Sequence, residues 1–141
     1  MKRTTVCITI LAVAAIALAS YACVFAADAS ESRLAVVWTS GDPDVAHKVC
    51  FMYTHNARKA GWFDDVTLIV WGPSSRLLAA DKQLQSAVKA MMADGVTVQA
   101  CVVCADMYGV ADDLRDLGIE VKGMGRPLSD MLKSDRKVLT F

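Results

Sequence analysis

Two cysteines stand three residues apart in the stretch VTVQACVVCADMYGV, residues 96–110, where an alternating strand pattern gives way to a helical one. A thiol at a strand-to-helix junction lies near free backbone amides and the positive end of a helix dipole, which favours the thiolate, the nucleophilic form. Cys101 and Cys104 are therefore candidates for nucleophilic sulfur chemistry. Cysteine is also among the most buried residue types, so core packing is the plain alternative. A redox pair would need the two sulfurs to meet. Val102 and Val103 between them are β-branched and favour a longer strand, on which positions i and i+3 face opposite ways, whereas in a turn they meet. A zinc site takes about four ligands, typically in two pairs; one CxxC supplies half of that, and His47 and His55, eight apart, lack chelating spacing. No metal and no cofactor are expected.

The remaining cysteines narrow the choice. Cys7 and Cys23 lie in an N-terminal segment with Lys2 and Arg3 followed by an uncharged apolar run to Ala27, closing on Val24-Phe25-Ala26. That is the pattern of a secretory signal peptide. We expect residues 1–26 to be removed, 27–33 to form a short linker and 34–141 to form one domain. The product is expected to be exported, most simply to a periplasm, and free of the membrane after cleavage. The alternative is an uncleaved anchor, since the run reaches the roughly 20 residues that span a bilayer. Three thiols then remain. Cys50 shares a helical face with Ala46, Val49, Tyr53 and Ala57 and is assigned to the core.

The elements that position the pair follow from hydrophobic periodicity. Residues 34–38 (LAVVW), 66–71 (VTLIVW), 96–101, 119–123 and 137–141 read as strands. Helices are expected over 43–60, capped by Asp42 and stopped by Gly61; over a segment opened by Ser74 and Ser75 and ending at Asp94-Gly95; over 106–117, with Asp106 as a cap; and over 128–133. Near-continuous Val, Ile and Leu strands alternating with helices imply a parallel sheet covered on both faces. The fold class is α/β, a three-layer α/β/α sandwich with a five-stranded parallel sheet. Ligands in such sheets bind beyond the carboxyl ends of the strands. The loops gathered there hold Ser40, Ser74, the two cysteines and Arg126, so Ser40, Ser74 and Arg126 are candidates to contact substrate or an oxyanion. From Ala27 onward 13 basic residues face 15 acidic ones without a basic patch, which argues against nucleic acid as a partner.

The chain from LAVVWTSGDPDVAHKVCFMYTHNARKAGWFDDVTLIVWGPS through ACVVCADMYGV to KVLTF resembles the DsrE/DsrF-like family of sulfur-relay proteins. In relay members the cysteine that accepts persulfide sulfur stands eight residues before a glycine. Cys101 stands eight before Gly109, and some members carry a second cysteine where Cys104 stands. The resemblance implies a persulfide carrier using Cys101, with Cys104 resolving or regulating it. The implied partners are sulfur donor and acceptor proteins or small thiols, and a homo-oligomer is implied as well. The alternative is a non-catalytic oligomeric binding or redox-sensing module of the same fold. The chain departs from relay members in its export signal and in Met107 and Tyr108, where they show basic residues. Phe51, flanked at helical spacing by His47, His55 and Arg58, is expected on the outer face of the first helix and at a subunit interface.

Overall fold

The computed structural model describes residues 31–141; the expected signal peptide and its cleavage point lie outside the described residues. Five strands alternate with helices: β1 (Arg33–Trp38), β2 (Asp65–Val70), β3 (Thr97–Cys101), β4 (Glu120–Lys122) and β5 (Lys137–Thr140). All pair in parallel, in the order β4-β3-β2-β1-β5. The expected α/β sandwich is thus the fold, with the most apolar strands, β1 and β2, central and paired in register from Arg33↔Asp65 to Trp38↔Val70.

The two faces of the sheet are covered unequally. Leu34, Val36 and Trp38 alternate with Ala35 and Val37 along β1, and each set builds its own core. The larger core takes side chains from α1 (in three contiguous pieces, Pro43–Val45, Ala46–Cys50 and Phe51–Lys59), α2 (Pro73–Ala80), α3 (Lys82–Ala93), α4 (Val102–Met107) and α5 (Ala111–Asp116). The smaller core joins Ala35, Val37, Ile69 and Cys101 to Met124, with Leu128 and Met131 of α6 (Gly125–Leu132) packed on it.

The first helix departs from simple periodicity, and the departure relocates Phe51. Asp42 caps α1 as expected, its carboxylate accepting from the Asp44 N–H at 2.8 Å. Residues Ala46–Cys50 then form a π-helical turn, in which the Phe51 N–H donates to the Ala46 carbonyl. That turn holds one residue more than an α-turn, so the phase of everything after it slips by about one position. Val49 swings outward to 44 % exposure, whereas Phe51 turns inward to 5 % and meets Trp38 edge-on, ring centroids 4.9 Å apart. The expectation of Phe51 on an outer face at a subunit interface is therefore corrected: it belongs to the core of its own chain. Cys50 is buried as expected.

The polar face of α1 has a use as well. His47 pairs with Asp81 at 3.1 Å, His55 with Asp94 at 2.6 Å, and the Arg58 Nε donates to the Gly95 carbonyl. These residues dock α1 against the two ends of α3. Asp81 also breaks the expected single helix in two: its extended backbone ends α2, and its side chain accepts from the Gln83 and Leu84 N–H groups to start α3.

Candidate functional site

The loops that follow the strands at their carboxyl ends do not all contribute free side chains. The Ser40 hydroxyl accepts from the Asp42 N–H at 3.1 Å and so is engaged in the turn that starts α1. Ser74 is fully buried; its hydroxyl donates to the Trp38 carbonyl at 2.6 Å and accepts from the Trp71 N–H at 3.0 Å. That side chain ties the end of β1 to the end of β2 and is spent on the scaffold, which explains a serine there without a ligand. Ser75 is also buried. Arg126 projects from α6 with its side chain 92 % exposed and pairs with Asp130 at 3.6 Å, one helical turn on, rather than with a thiol.

The two cysteines are brought together. β3 ends at Cys101 and α4 begins at Val102, so the β-branched pair Val102-Val103 opens a helix instead of prolonging the strand. Cys101 takes the N-cap position with extended backbone (φ −73°, ψ 114°), which places Cys104 in the first turn above it. The Cys104 sulfur has the Cys101 side chain and the Gly72 backbone as its neighbours. The glycine-containing loop after β2 thereby reaches the thiols, as the edge-of-sheet argument requires. Both sulfurs are free thiols; Cys101 is 5 % exposed and Cys104 is half-buried.

Burial decides the protonation of Cys104. Its thiol is pushed up from the usual range first by desolvation, and the neighbouring Cys101 sulfur adds to this; the Gly72 N–H acts the other way but is outweighed. The favourable field expected at the start of a helix does not win at this position. Cys104 therefore gives up its proton less readily than a free thiol. Cys50 is pushed up to about 12 by burial, against a smaller opposing contribution from Thr54, and is inert at neutral pH.

Around the pair, Val103 and Met107 are 61 % and 80 % exposed, and the Arg76 guanidinium lies 5.3 Å from the centroid of the Tyr108 ring. Asp106 does not cap a helix: it sits near the end of α4, which stops at Tyr108, and its carbonyl accepts from Gly109, whose φ of 67° turns the chain before α5. Sequence reasoning missed Lys122. It is the register partner of Cys101 across β3 and β4 and lies on the same face of the sheet. Its signal was present only in the pairing of two strands, which periodicity along one strand does not disclose. Among the described residues, no three His, Cys, Asp or Glu side chains converge as a metal site would need.

The model of the DsrE/DsrF-like family matches residues 32–141 of the chain. Among solved structures, BT1422 from Bacteroides thetaiotaomicron, described as a conserved protein of unknown function, is similar at 34 % identity, with a TM-score of 0.77 over 81 % of this chain and 100 % of that one. The ychN protein from E. coli is similar in fold, at 20 % identity and a TM-score of 0.60 over 77 % of this chain and 99 % of that one. No curated protein matches the chain.

Proposed function

We propose, from the premise that the chain belongs to the DsrE/DsrF-like family, that it carries sulfur as a persulfide on Cys101. The family suggests function of the sulfur-relay type. The observation that carries the finer reading is the thiol pair itself: Cys101 holds the N-cap position of α4, and Cys104, whose thiol burial pushes up, stands beside it in the first turn. In the first step the Cys101 thiolate attacks the outer sulfur of a donor persulfide R–S–SH. A bond forms between Cys101 Sγ and that sulfur, the donor S–S bond breaks, and its electron pair leaves with R–S⁻. In the second step an acceptor thiolate attacks the outer sulfur of the Cys101 persulfide, takes it, and returns the Cys101 thiolate. Where no acceptor arrives, Cys104 attacks Cys101 Sγ; the Sγ–Sγ bond forms, the persulfide bond breaks, and the outgoing sulfur takes up the Cys104 proton as hydrogen sulfide.

The donor and acceptor are proteins or small thiols, and the N-terminal sequence supports an exported, periplasmic setting for the exchange. Self-association is part of the same reading, through a face other than that of Phe51. The test is intact-mass spectrometry after exposure to a sulfane-sulfur donor. Wild type is expected to gain one sulfur atom, Cys101→Ser none, and Cys104→Ser one that persists longer because the resolving thiol is gone. Equal loading of wild type and Cys101→Ser overturns the assignment.

A further inference from the structure

The sheet puts a two-by-two block of side chains beside the reactive pair. Gln99↔Glu120 and Cys101↔Lys122 are consecutive same-face register pairs of the parallel strands β3 and β4. Parity fixes which face they occupy. Val98, Ala100 and Val121 pack into the larger core, so Gln99, Cys101, Glu120 and Lys122 all stand on the opposite face. Within the block the Lys122 ammonium is 2.8 Å from the Glu120 carboxylate, and the same oxygen accepts from the Gln99 amide at 2.7 Å. Neighbouring strands run about 4.8 Å apart, so the Lys122 stem rises directly beside that of Cys101.

We infer that Lys122 is the charge partner of the Cys101 sulfur, and that the Gln99–Glu120 pair sets how far its ammonium leans toward that sulfur. Lys122 is a positioning residue: it acts through Cys101 by favouring the anionic thiolate and, after loading, the anionic persulfide. The other groups facing Cys101 leave this role open. Cys104 of α4 carries a thiol that burial pushes up, the smaller core beside Cys101 is apolar in Ala35, Val37, Ile69 and Met124, and Arg126 of α6 is turned to Asp130. Among the described residues Lys122 has one competing anion, Glu120, whose same oxygen Gln99 also holds. A four-carbon stem with three donors lets the ammonium serve the carboxylate and the sulfur by turns. The inference rests on Cys101 being the reactive thiol of the proposed relay, yet it makes a claim that is read without any sulfur transfer.

The experiment is the pH dependence of alkylation of the full chain by iodoacetamide, in which the thiolate forms an S–C bond and iodide leaves. Fragment masses separate Cys101 from Cys104, and Cys50, buried and held as a thiol, serves as a monitor of the native fold. Lys122→Met is expected to raise the midpoint of the Cys101 curve by about one pH unit, or about tenfold in rate below the midpoint, as removal of one adjacent opposite charge does. Glu120→Gln, which keeps an acceptor for Gln99 but removes the competing charge, is expected to lower it. Lys122→Arg is expected to restore the wild-type curve. If Lys122→Met exposes Cys50, Lys122→Gln takes its place with the same expected rise. An unmoved midpoint in the folded Lys122 variant, or a rise in Glu120→Gln, overturns the inference. Persulfide loading fails separately: a Lys122-dependent curve without any one-sulfur gain retains the charge partner and removes the relay.

Discussion

Phe51→Ala is the sharpest test of how α1 is wound. If the π-turn directs Phe51 inward, the substitution removes six ring carbons from a site that is 5 % exposed and leaves Trp38 without its edge-on neighbour. At about 0.8 kcal/mol per buried carbon the transfer loss approaches ~5 kcal/mol, and measured Phe→Ala changes in cores run at about 3–5 kcal/mol. The aromatic pairing belongs to the same range, since it is worth only ~0.5–1.5 kcal/mol beyond area. We expect a loss of about 4 kcal/mol. With a urea dependence near ~2 kcal/mol per molar for a domain of this size, the unfolding midpoint falls by about 2 M. Domains hold only about 5–15 kcal/mol in total, so Phe51→Leu, expected to lose roughly 1 kcal/mol, supplies a variant that keeps most of that margin. Urea unfolding followed by Trp fluorescence measures both. A Phe51→Ala protein within about 1 kcal/mol of wild type that falls apart into monomers would refute the reasoning and return Phe51 to a surface between subunits.

Two further outcomes are expected. Ser74→Ala removes the donor to the Trp38 carbonyl and the acceptor for the Trp71 N–H, and is expected to cost about 1–3 kcal/mol in urea unfolding while leaving persulfide loading unchanged; loss of loading with unaltered stability would make Ser74 a ligand after all. Asp81 is held below the usual carboxylate range, first by the Leu84 N–H and then by His47, and Asp94 likewise by His55. Groups depressed in the folded state contribute stability that is present above pH ~4 and lost as pH falls through their folded values. The thermal midpoint should therefore fall on acidification below pH ~4, and Asp81→Asn, which keeps the cap but not the charge, should flatten that limb; an unchanged limb assigns acid lability to other carboxylates.

The fold was legible because its signals are local and repeated. Runs such as VTLIVW and LAVVW can be buried on both faces only in the middle of a sheet, and Gly61 and Gly95 stop helices by backbone conformation alone. The thiol pair was legible for the same reason, since its place at the end of β3 follows from counting strands. What was not legible depends on partners elsewhere in the chain. The β-branched Val102-Val103 argues locally for strand, yet β4 pairs only as far as Cys101↔Lys122 and the chain turns into α4 there. Asp81 caps α3 and bonds His47 of α1, a pairing of distant segments that local sequence does not disclose. Lys122 meets Cys101 only through a register that no single strand encodes, and Arg126, which stood in a loop by count, proved to belong to a helix with its own acidic partner.

The π-turn in α1 also bears on how this chain tolerates changes of length. Between Ala46 and Cys50 the helix carries one residue more than its regular winding needs. Excising one residue there converts the turn to an ordinary α-turn while Asp42 at one end and Ala57 at the other keep their directions. Excising one ahead of Thr54 in Phe51–Lys59 instead rotates the remainder by about 100° and carries Thr54 and Ala57 off the core. Single-residue loss in this helix is therefore confined to one turn, and the exposed Lys48 and Val49 are the residues of that turn whose departure takes least from the core.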